Sequence, residues 1–515
     1  MDDRLLARFL AQPGDRTATI GLDGTAWTFD HLLGRAMKVA QQLRATGEMA
    51  GQVVLLRTDP TPLFSVADLA VLLAGGVPAV VPDLPREQLA AVWQVVAPAA
   101  VMDTTGKGGG RLVAAALEAG AAVHHVSEAN SRPAGTPAQW RAVARHWAGA
   151  RRDQTAALVF TSGTTGAPRA VALTEEALVR GMQTWTAQWD TNPNRTLSYL
   201  PVSHVAQRIM GHTLMCLYGT TVVASTPERL PEDLIRHRPD TLLGVPHIWA
   251  RLAAAGAQSD DAGQQLRAAL ATVRTAINGA AALDRTVAGE LGRIAELRIS
   301  GAYGATETTV PTFHQTDAAV PGLGCPVGVE HRITADGEML LRGPTLAAGD
   351  VDRWPHLRPV TDRSGWLHTG DRVRVAGDGQ LLLDGRIGSR FKTAAGEMIA
   401  PEPVEAHLLT HPSVRASCLL GDGLPRSVAL VCAPESAEWP PEHVAALERD
   451  LHQQIEAARR RGEVPFCDLA AVRVLDDSWP ELQLVTSTGK PHRDRIATHY
   501  HHLLTRTLEP ARART

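Results

Sequence analysis

The chain has 515 residues, more than one hydrophobic core usually serves, so two or more domains are expected. A hydrophobic fraction of 44% and a charged fraction of 20% are ordinary globular values and exclude a disordered, fibrous or coiled-coil chain. A formal charge of −3 with no run of Lys and Arg offers no field for nucleic acid or a membrane surface.

The opening Met1-Asp2-Asp3-Arg4 lacks the form of a signal peptide. The longest uncharged apolar run, Leu69 to Val81, holds Gly75, Gly76 and Pro78 and is too short to span a bilayer, so a cytoplasmic protein is expected. Cys216, Cys325, Cys418, Cys432 and Cys467 are far apart, with no CxxC pair, and read as free or buried thiols. His499, His501 and His502 read as part of a solvated tail rather than a metal site. Lys occupies only positions 38, 107, 392 and 490, and Arg supplies the rest of the 51 basic residues. The few lysines are candidates for places that need a compact ammonium.

Along the chain, Thr28-Phe29-Asp30 signals a helix start before Leu32, Leu33, Met37, Ala40 and Leu43. Strand-length apolar runs follow at Val53 to Leu56, Val77 to Val81, Ala100 to Met102, Ala156 to Phe160, Thr220 to Ala224 and Thr241 to Val245, separated by stretches at helical spacing. That alternation predicts α/β layers with largely parallel sheets. After about residue 320 come short strands broken at Asp336-Gly337 and Asp378-Gly379, which are hairpin signals. Beyond Arg386, helix is expected over Val404 to Leu409 and strand over Val428 to Cys432, with a boundary near Ile387-Gly388-Ser389. Gly108-Gly109-Gly110 reads as a loop tip.

The strand Ala156 to Phe160 runs into Thr161-Ser162-Gly163-Thr164-Thr165-Gly166-Ala167-Pro168-Arg169, where four hydroxyls and two glycines crowd six positions. Glycines let backbone N–H groups approach an anion and the hydroxyls add donors, so this loop can wrap phosphate oxygens. It is not a Walker A loop, since GxxxxGK[ST] is absent.

This loop resembles the phosphate-binding signature of the adenylate-forming superfamily, which holds acyl-CoA synthetases, aryl-CoA ligases, peptide-synthetase adenylation domains and luciferases. Further motifs recur in order: Ser198-Tyr199-Leu200-Pro201-Val202-Ser203-His204, Gly301-Ala302-Tyr303-Gly304-Ala305-Thr306-Glu307, Gly365-Trp366-Leu367-His368-Thr369-Gly370-Asp371, Asp384-Gly385-Arg386 and Thr486-Ser487-Thr488-Gly489-Lys490. The similarity covers roughly residues 20 to 500, and Phe391 to Glu405 looks most like the bacterial long-chain fatty acyl-CoA synthetase branch.

The resemblance implies a large N-terminal AMP-binding domain, residues 1–387, of two layered α/β subdomains plus a small β-rich one. A small mobile α+β domain, residues 388–515, would carry the catalytic lysine. It implies ATP and Mg²⁺ as cofactors, coenzyme A as co-substrate, a small-molecule acid as substrate, and two reactions: adenylation of the acid and acyl transfer. By the same resemblance Thr161, Ser162, Thr164, Thr165 and Thr306 bind phosphates, with Gly163, Gly166 and Arg169 completing the loop. Glu307, with Thr161, would hold Mg²⁺. Tyr303 would stack on adenine beside Gly279, Ala280, Ala302 and Gly304, and Asp371 with Arg386 would grip ribose. Lys490 would meet the bond-forming oxygens, His204 would orient the acid, and Lys392 would serve a second orientation of the small domain. Ser203, Gln207, Arg208, His247, Asn278, Ser300, Gly301, Thr309 and Val310 would help wall the acyl pocket, a polar set for a long fatty chain.

Arg169 stands where such loops usually end in Lys and reads as one cation swapped for another; Gly388 stands where the hinge commonly has Asp or Lys and would loosen rotation. Two other readings stay open: a secondary-metabolism relative, of a kind known in actinobacteria, that adenylates nitrite to diazotise an aryl amine or uses another amine or thiol acceptor, and a non-catalytic nucleotide-binding scaffold.

Overall fold

The structure, a computed structural model, describes residues 4–107, 109–150, 155–162, 168–461, 464, 467–485 and 490–508. Two large sheets carry its body. The first has eight strands in the order His356–Arg358, Gly349–Arg353, Pro168–Thr174, Thr155–Ser162, Val77–Val80, Val53–Arg57, Ala100–Asp103, Ala122–His125. From Thr155–Ser162 to Ala122–His125 the pairing is parallel, and Pro168–Thr174 folds back antiparallel on Thr155–Ser162. The second sheet places Ile299–Tyr303, Thr275–Asn278, Thr241–Gly244, Arg195–Ser198, Thr221–Ala224 and Thr17–Ile20 side by side in parallel, with antiparallel strands at both edges. The apolar runs seen in the sequence are thus strands buried on both faces, which is why they read as continuous rather than alternating.

Helices fill the space between the sheets. Pro62–Ala74 is buried from Phe64 to Ala74, apolar on nearly every side, and shares a core with Val54 and Leu56 of the first sheet and Ala18 of the second. A second core joins Val159 and Leu173 of the first sheet to Leu243 and Ile277 of the second through Trp185, Ile209, Met210 and Leu214. Thr28 caps the helix Phe29–Ala45 as its sequence predicts, its hydroxyl accepting from His31 N–H at 3.2 Å.

Four antiparallel strands, Glu330–Ile333, Glu338–Arg342, Leu367–Val375 and Leu381–Arg386, form the β-rich unit expected after residue 320. Gly337 (φ +88°) and Gly379 (φ +85°) take the left-handed turn positions that the Asp-Gly pairs signalled. A 3₁₀ turn, Ile387–Ser389, leads to the strands Ala416–Leu420, Ser427–Cys432 and Leu469–Leu475, covered by the helices Pro401–Leu408, Pro441–Arg460, Arg493–His499 and His501–Leu508. These residues have cores of their own around Val404, Leu419, Val431 and Leu451, and around Cys418, Leu430, Trp479 and Ile496.

One expectation is corrected here. His499, His501 and His502 lie on the two final helices, with exposed side chains, and not in a tail, because Ile496 and Leu504 pack those helices onto the core. Four cysteines are buried and Cys325 is exposed, all with free thiols. Among the described residues no helix is long and apolar enough to cross a membrane.

Candidate active site

The two strands that flank the expected phosphate loop pair with each other. Thr155–Ser162 leaves the sheet with Thr161 opposite Arg169 and Ser162 opposite Pro168. Gly163, Thr164, Thr165 and Gly166 lie outside the described residues. Arg169 Nη2 reaches Glu307 Oε1 at 2.5 Å and Asp350 Oδ1 at 3.3 Å. A planar guanidinium spanning acids on two segments does what a lysine point charge does less well, so the swap preserves charge but changes geometry.

Glu307 sits in the 3₁₀ turn Thr306–Thr308. The turn is fixed by its neighbours: Thr308 Oγ1 accepts from Ala305 N–H at 2.9 Å, and Glu307 C=O accepts from Ala347 N–H at 2.8 Å. At Gly304 a Cβ would lie 3.0 Å from Pro311 Cα, so the backbones approach too closely for a side chain. A half-buried carboxylate is thereby presented beside Thr306 and the hairpin base.

Tyr303, Asp371 and Arg386 meet where the second sheet reaches the β-rich unit. Asp371 and Arg386 are cross-strand partners, with Arg386 Nε donating to Asp371 Oδ1 at 2.8 Å, and the Tyr303 hydroxyl donates to Oδ2 at 2.5 Å. Burial, then the Asp371 charge, pushes the Tyr303 phenol well above its ordinary pKa, so it stays a donor. Phe313 stacks edge-on to its ring at 5.9 Å. Gly370, at φ +69°, donates its N–H to Glu338 Oε1 at 3.0 Å, which fixes the turn before Asp371. Gly279 and Ala280 follow the strand Thr275–Asn278, and Ala280 holds φ +70°, a strained position for a residue with a Cβ. Ala302 lies on Ile299–Tyr303 opposite His314.

Lys490 joins this cluster from the far end of the chain. Its surface is open to solvent, yet it stands in a crevice crowded with protein. That crowding, then the Arg386 guanidinium, lowers its pKa, while the carboxylates of Asp371, Glu307 and Glu402 act in the other direction. His204 begins the helix Val205–Arg208, where Nδ1 accepts from Ala206 N–H at 3.2 Å, so in the neutral ring the proton is on Nε2. Burial, then the nearby Lys490 charge, lowers the His204 pKa to about 4. Lys392 is exposed on Phe391–Lys392, and its described contacts are with its own unit. Gly388 has ordinary backbone angles, and a Cβ there would meet nothing, so neither space nor conformation requires glycine.

Arg208, expected in the acyl pocket, is placed differently. Arg208 is 2% exposed, and its Nη2 binds Asp68 Oδ1 at 2.7 Å. His212 Nε2 binds Asp68 Oδ2 at 2.9 Å, and Nδ1 lies 3.4 Å from Ser65 Oγ. Burial would raise the Asp68 pKa, but Arg208 and His212 together hold it below its ordinary value. Gln207 is also 2% exposed; its Oε1 accepts from Leu200 N–H at 3.1 Å, and it lines a cavity with Thr19, Phe64, Ser65 and His212. Sequence reading missed this network, whose one signal was a lone aspartate inside an otherwise apolar helix.

A match to the AMP-binding enzyme family spans residues 6–349. The chain is 29% identical over 337 residues to the long-chain-fatty-acid–CoA ligase ACSBG1 of Bos taurus, covering 52% of this chain and 45% of that protein. It is 28% identical to the long-chain-fatty-acid–CoA ligase FadD15 of Mycobacterium tuberculosis, covering 63% of each. The chain thus spans about half the length of the ACSBG1 relatives it matches. Among solved structures, ATP-bound MatB from Rhodopseudomonas palustris superposes with a TM-score of 0.74 at 20% identity, covering 98% of this chain and 100% of that one. The anthranilate CoA ligase AuaEII with anthranoyl-AMP gives 0.74 at 19% identity, covering 96% of each. The family match covers about two thirds of the chain, and the fold is shared with solved structures along nearly all of it: the protein belongs to the AMP-binding enzyme family.

Proposed function

We propose that the chain is an ATP-dependent, AMP-forming ligase that adenylates a carboxylic acid, fatty or aryl, and passes the acyl group to coenzyme A. The observation that carries this reading is the convergence of Lys490 with Asp371, Arg386, Glu307 and His204 from distant parts of the sequence. A carboxylate oxygen attacks the α-phosphorus of ATP and pyrophosphate leaves; the thiol sulfur of coenzyme A then attacks the acyl carbonyl and AMP leaves with the bonding pair. Charge builds on the bridging and equatorial oxygens in the first step, where a compact ammonium such as Lys490 is effective. Asp371 and Arg386 hold the ribose, and Tyr303 flanks the base.

Glu307 and Thr161 offer hard oxygen donors at the hairpin base, a set that fits Mg²⁺, which binds through one or two carboxylates plus substrate phosphates. When bound, the ion neutralises phosphate charge. Residues 388–515 act as a unit that turns about Ile387–Ser389 after adenylation, with Lys392 then facing the nucleotide. A cytoplasmic location fits this chemistry. The relatives' names concern organic acids, so the nitrite reading is not favoured.

Pyrophosphate exchange and AMP release, measured across dodecanoate, benzoate, anthranilate and nitrite with an amine, test the proposal. AMP formation with an organic acid and coenzyme A is expected; none with any acid would sink it. Lys490→Ala should lower exchange by about 10²–10³-fold, the usual cost of losing one transition-state donor, while pre-made acyl-adenylate is still consumed.

A further inference from the structure

Lys490 stands next to residues tied back to the chain at 484–485. Val485 bridges Pro491, and His492 N–H donates to Leu484 C=O at 2.8 Å. One residue further, Arg493 opens the helix Arg493–His499, and its Nη2 meets Glu405 Oε1 at 2.5 Å. Glu405 is 6% exposed, and the same Oε1 accepts from Leu419 N–H at 2.7 Å, while its backbone carbonyl accepts from Ser417 Oγ at 2.9 Å. The carboxylate is therefore locked to the strand Ala416–Leu420 on one side and to the first residue of the helix Arg493–His499 on the other.

Glu405 lies on Pro401–Leu408, the first helix after the 387–389 turn. Glu402 is one turn earlier on the same helix, so the two acids share a face. Glu402 acts electrostatically on Lys490 as Glu405 does on Arg493, and Lys490 and Arg493 are themselves three residues apart. The helix thus meets the chain after Lys490 at one rung, Glu405 against Arg493, with Glu402 a charge that acts on Lys490 from further off.

We infer that the Glu405–Arg493 ion pair is a positioning device for Lys490, holding residues 490–493 against the Pro401–Leu408 helix so that the ammonium stands at the adenylation site. This rests on the reading of Lys490 as the adenylation lysine. Among the described contacts neither residue touches the cluster around Asp371; they act through Pro491 and His492. A misplacement of about 1 Å is enough to cost a reaction step about 100-fold.

The pair is also sensitive to pH. The groups that face Glu405 are Arg493, Glu402 and the Cys418 thiol. Burial raises the Glu405 pKa to about 7, against the opposing pull of Arg493 and of Leu419 N–H. Protonation below that value discharges one side of the rung, so the adenylation step should lose rate on the acid side of about 7.

The experiment measures both half-reactions of the full-length enzyme: pyrophosphate exchange with whichever of dodecanoate, benzoate and anthranilate gives the fastest wild-type exchange, and coenzyme A-dependent consumption of the matching pre-formed acyl-adenylate. Arg493→Ala is expected to lower exchange about 100-fold and adenylate consumption less than about 3-fold, with Arg493→Lys restoring part of the exchange. Glu405→Gln keeps the side-chain volume and the bond from Leu419, and serves if Arg493→Ala does not fold. It should lose exchange in the same selective way, and the acid limb near pH 7 should vanish from its exchange profile. Equal loss of both half-reactions, or exchange left intact, would overturn the proposal. Lys490→Ala is run alongside: if it fails to lose exchange selectively, the reading of Lys490 falls first and takes this inference with it. A selective Lys490→Ala with an unselective Arg493→Ala refutes the positioning role alone.

Discussion

Asp68 and Asp371 are both carboxylates held by an arginine and a second donor, and the resemblance ends there. Asp68 is 0% exposed between Arg208 and His212, and its arginine is sealed to 2%. Asp371 is 6% exposed between Tyr303 and Arg386, and the Arg386 side chain is 48% exposed in a crevice. A sealed network cannot exchange partners without unfolding its surroundings, whereas an open one can trade a protein donor for a ligand hydroxyl. The same pairing chemistry therefore suits packing in one place and ligand exchange in the other, and access to solvent decides which.

Removing each carboxylate should separate the roles. Asp68→Ala leaves a buried guanidinium and imidazole uncompensated and should cost about 3–5 kcal/mol of stability in urea unfolding. A loss below about 1 kcal/mol would mean that the network contributes little to holding the sheets together. Asp371→Asn should leave stability within about 1 kcal/mol, since its partner is half open to water. Its effect belongs to the nucleotide: a drop in kcat/KM for ATP of about 10- to 100-fold, as expected for losing hydrogen bonds to a charged group. An unchanged ATP dependence would remove Asp371 from the ribose site.

The smallest effect is on acid stability. The His204 pKa falls from 6.5 to about 4 on folding, so the folded state binds fewer protons than the unfolded chain between those values. The stability this neutral ring contributes is present above pH 6.5 and is lost as pH falls towards 4. His204→Gln should flatten that part of the stability profile relative to wild type, although His247, also lowered to about 4 by burial and then by Arg251, keeps its own share of the slope. An identical profile in the variant would show that His204 is protonated as easily folded as unfolded.

The elements were largely legible because their signals are local: apolar runs for the strands, Thr28 for a helix start, Gly337 and Gly379 for turns. The candidate site was legible only as separate motifs. Tyr303, Asp371 and Arg386 each stood in a recognisable segment, but their bonding to one another depends on how the second sheet meets the β-rich unit. Pairs that no single motif contains stayed hidden. Arg169 and Glu307 are 138 residues apart, Glu405 and Arg493 are 88 apart, and nothing near any of these four names its partner. Arg208 misled for a related reason: the family resemblance implied a pocket wall, while a distant aspartate on a buried helix turned its charge inward.

Gly385, two residues before the 387–389 turn, holds φ +90°, and a Cβ there would lie 2.8 Å from the Cβ of Ala400 at the start of the next helix. The strand end and that helix are fitted to each other within the width of one methyl group. Any posture that drew residue 400 away would be relieved of the clash that a single added carbon creates. One atom at position 385 is thus enough to wedge the strand end from the helix, and glycine leaves that fit untouched.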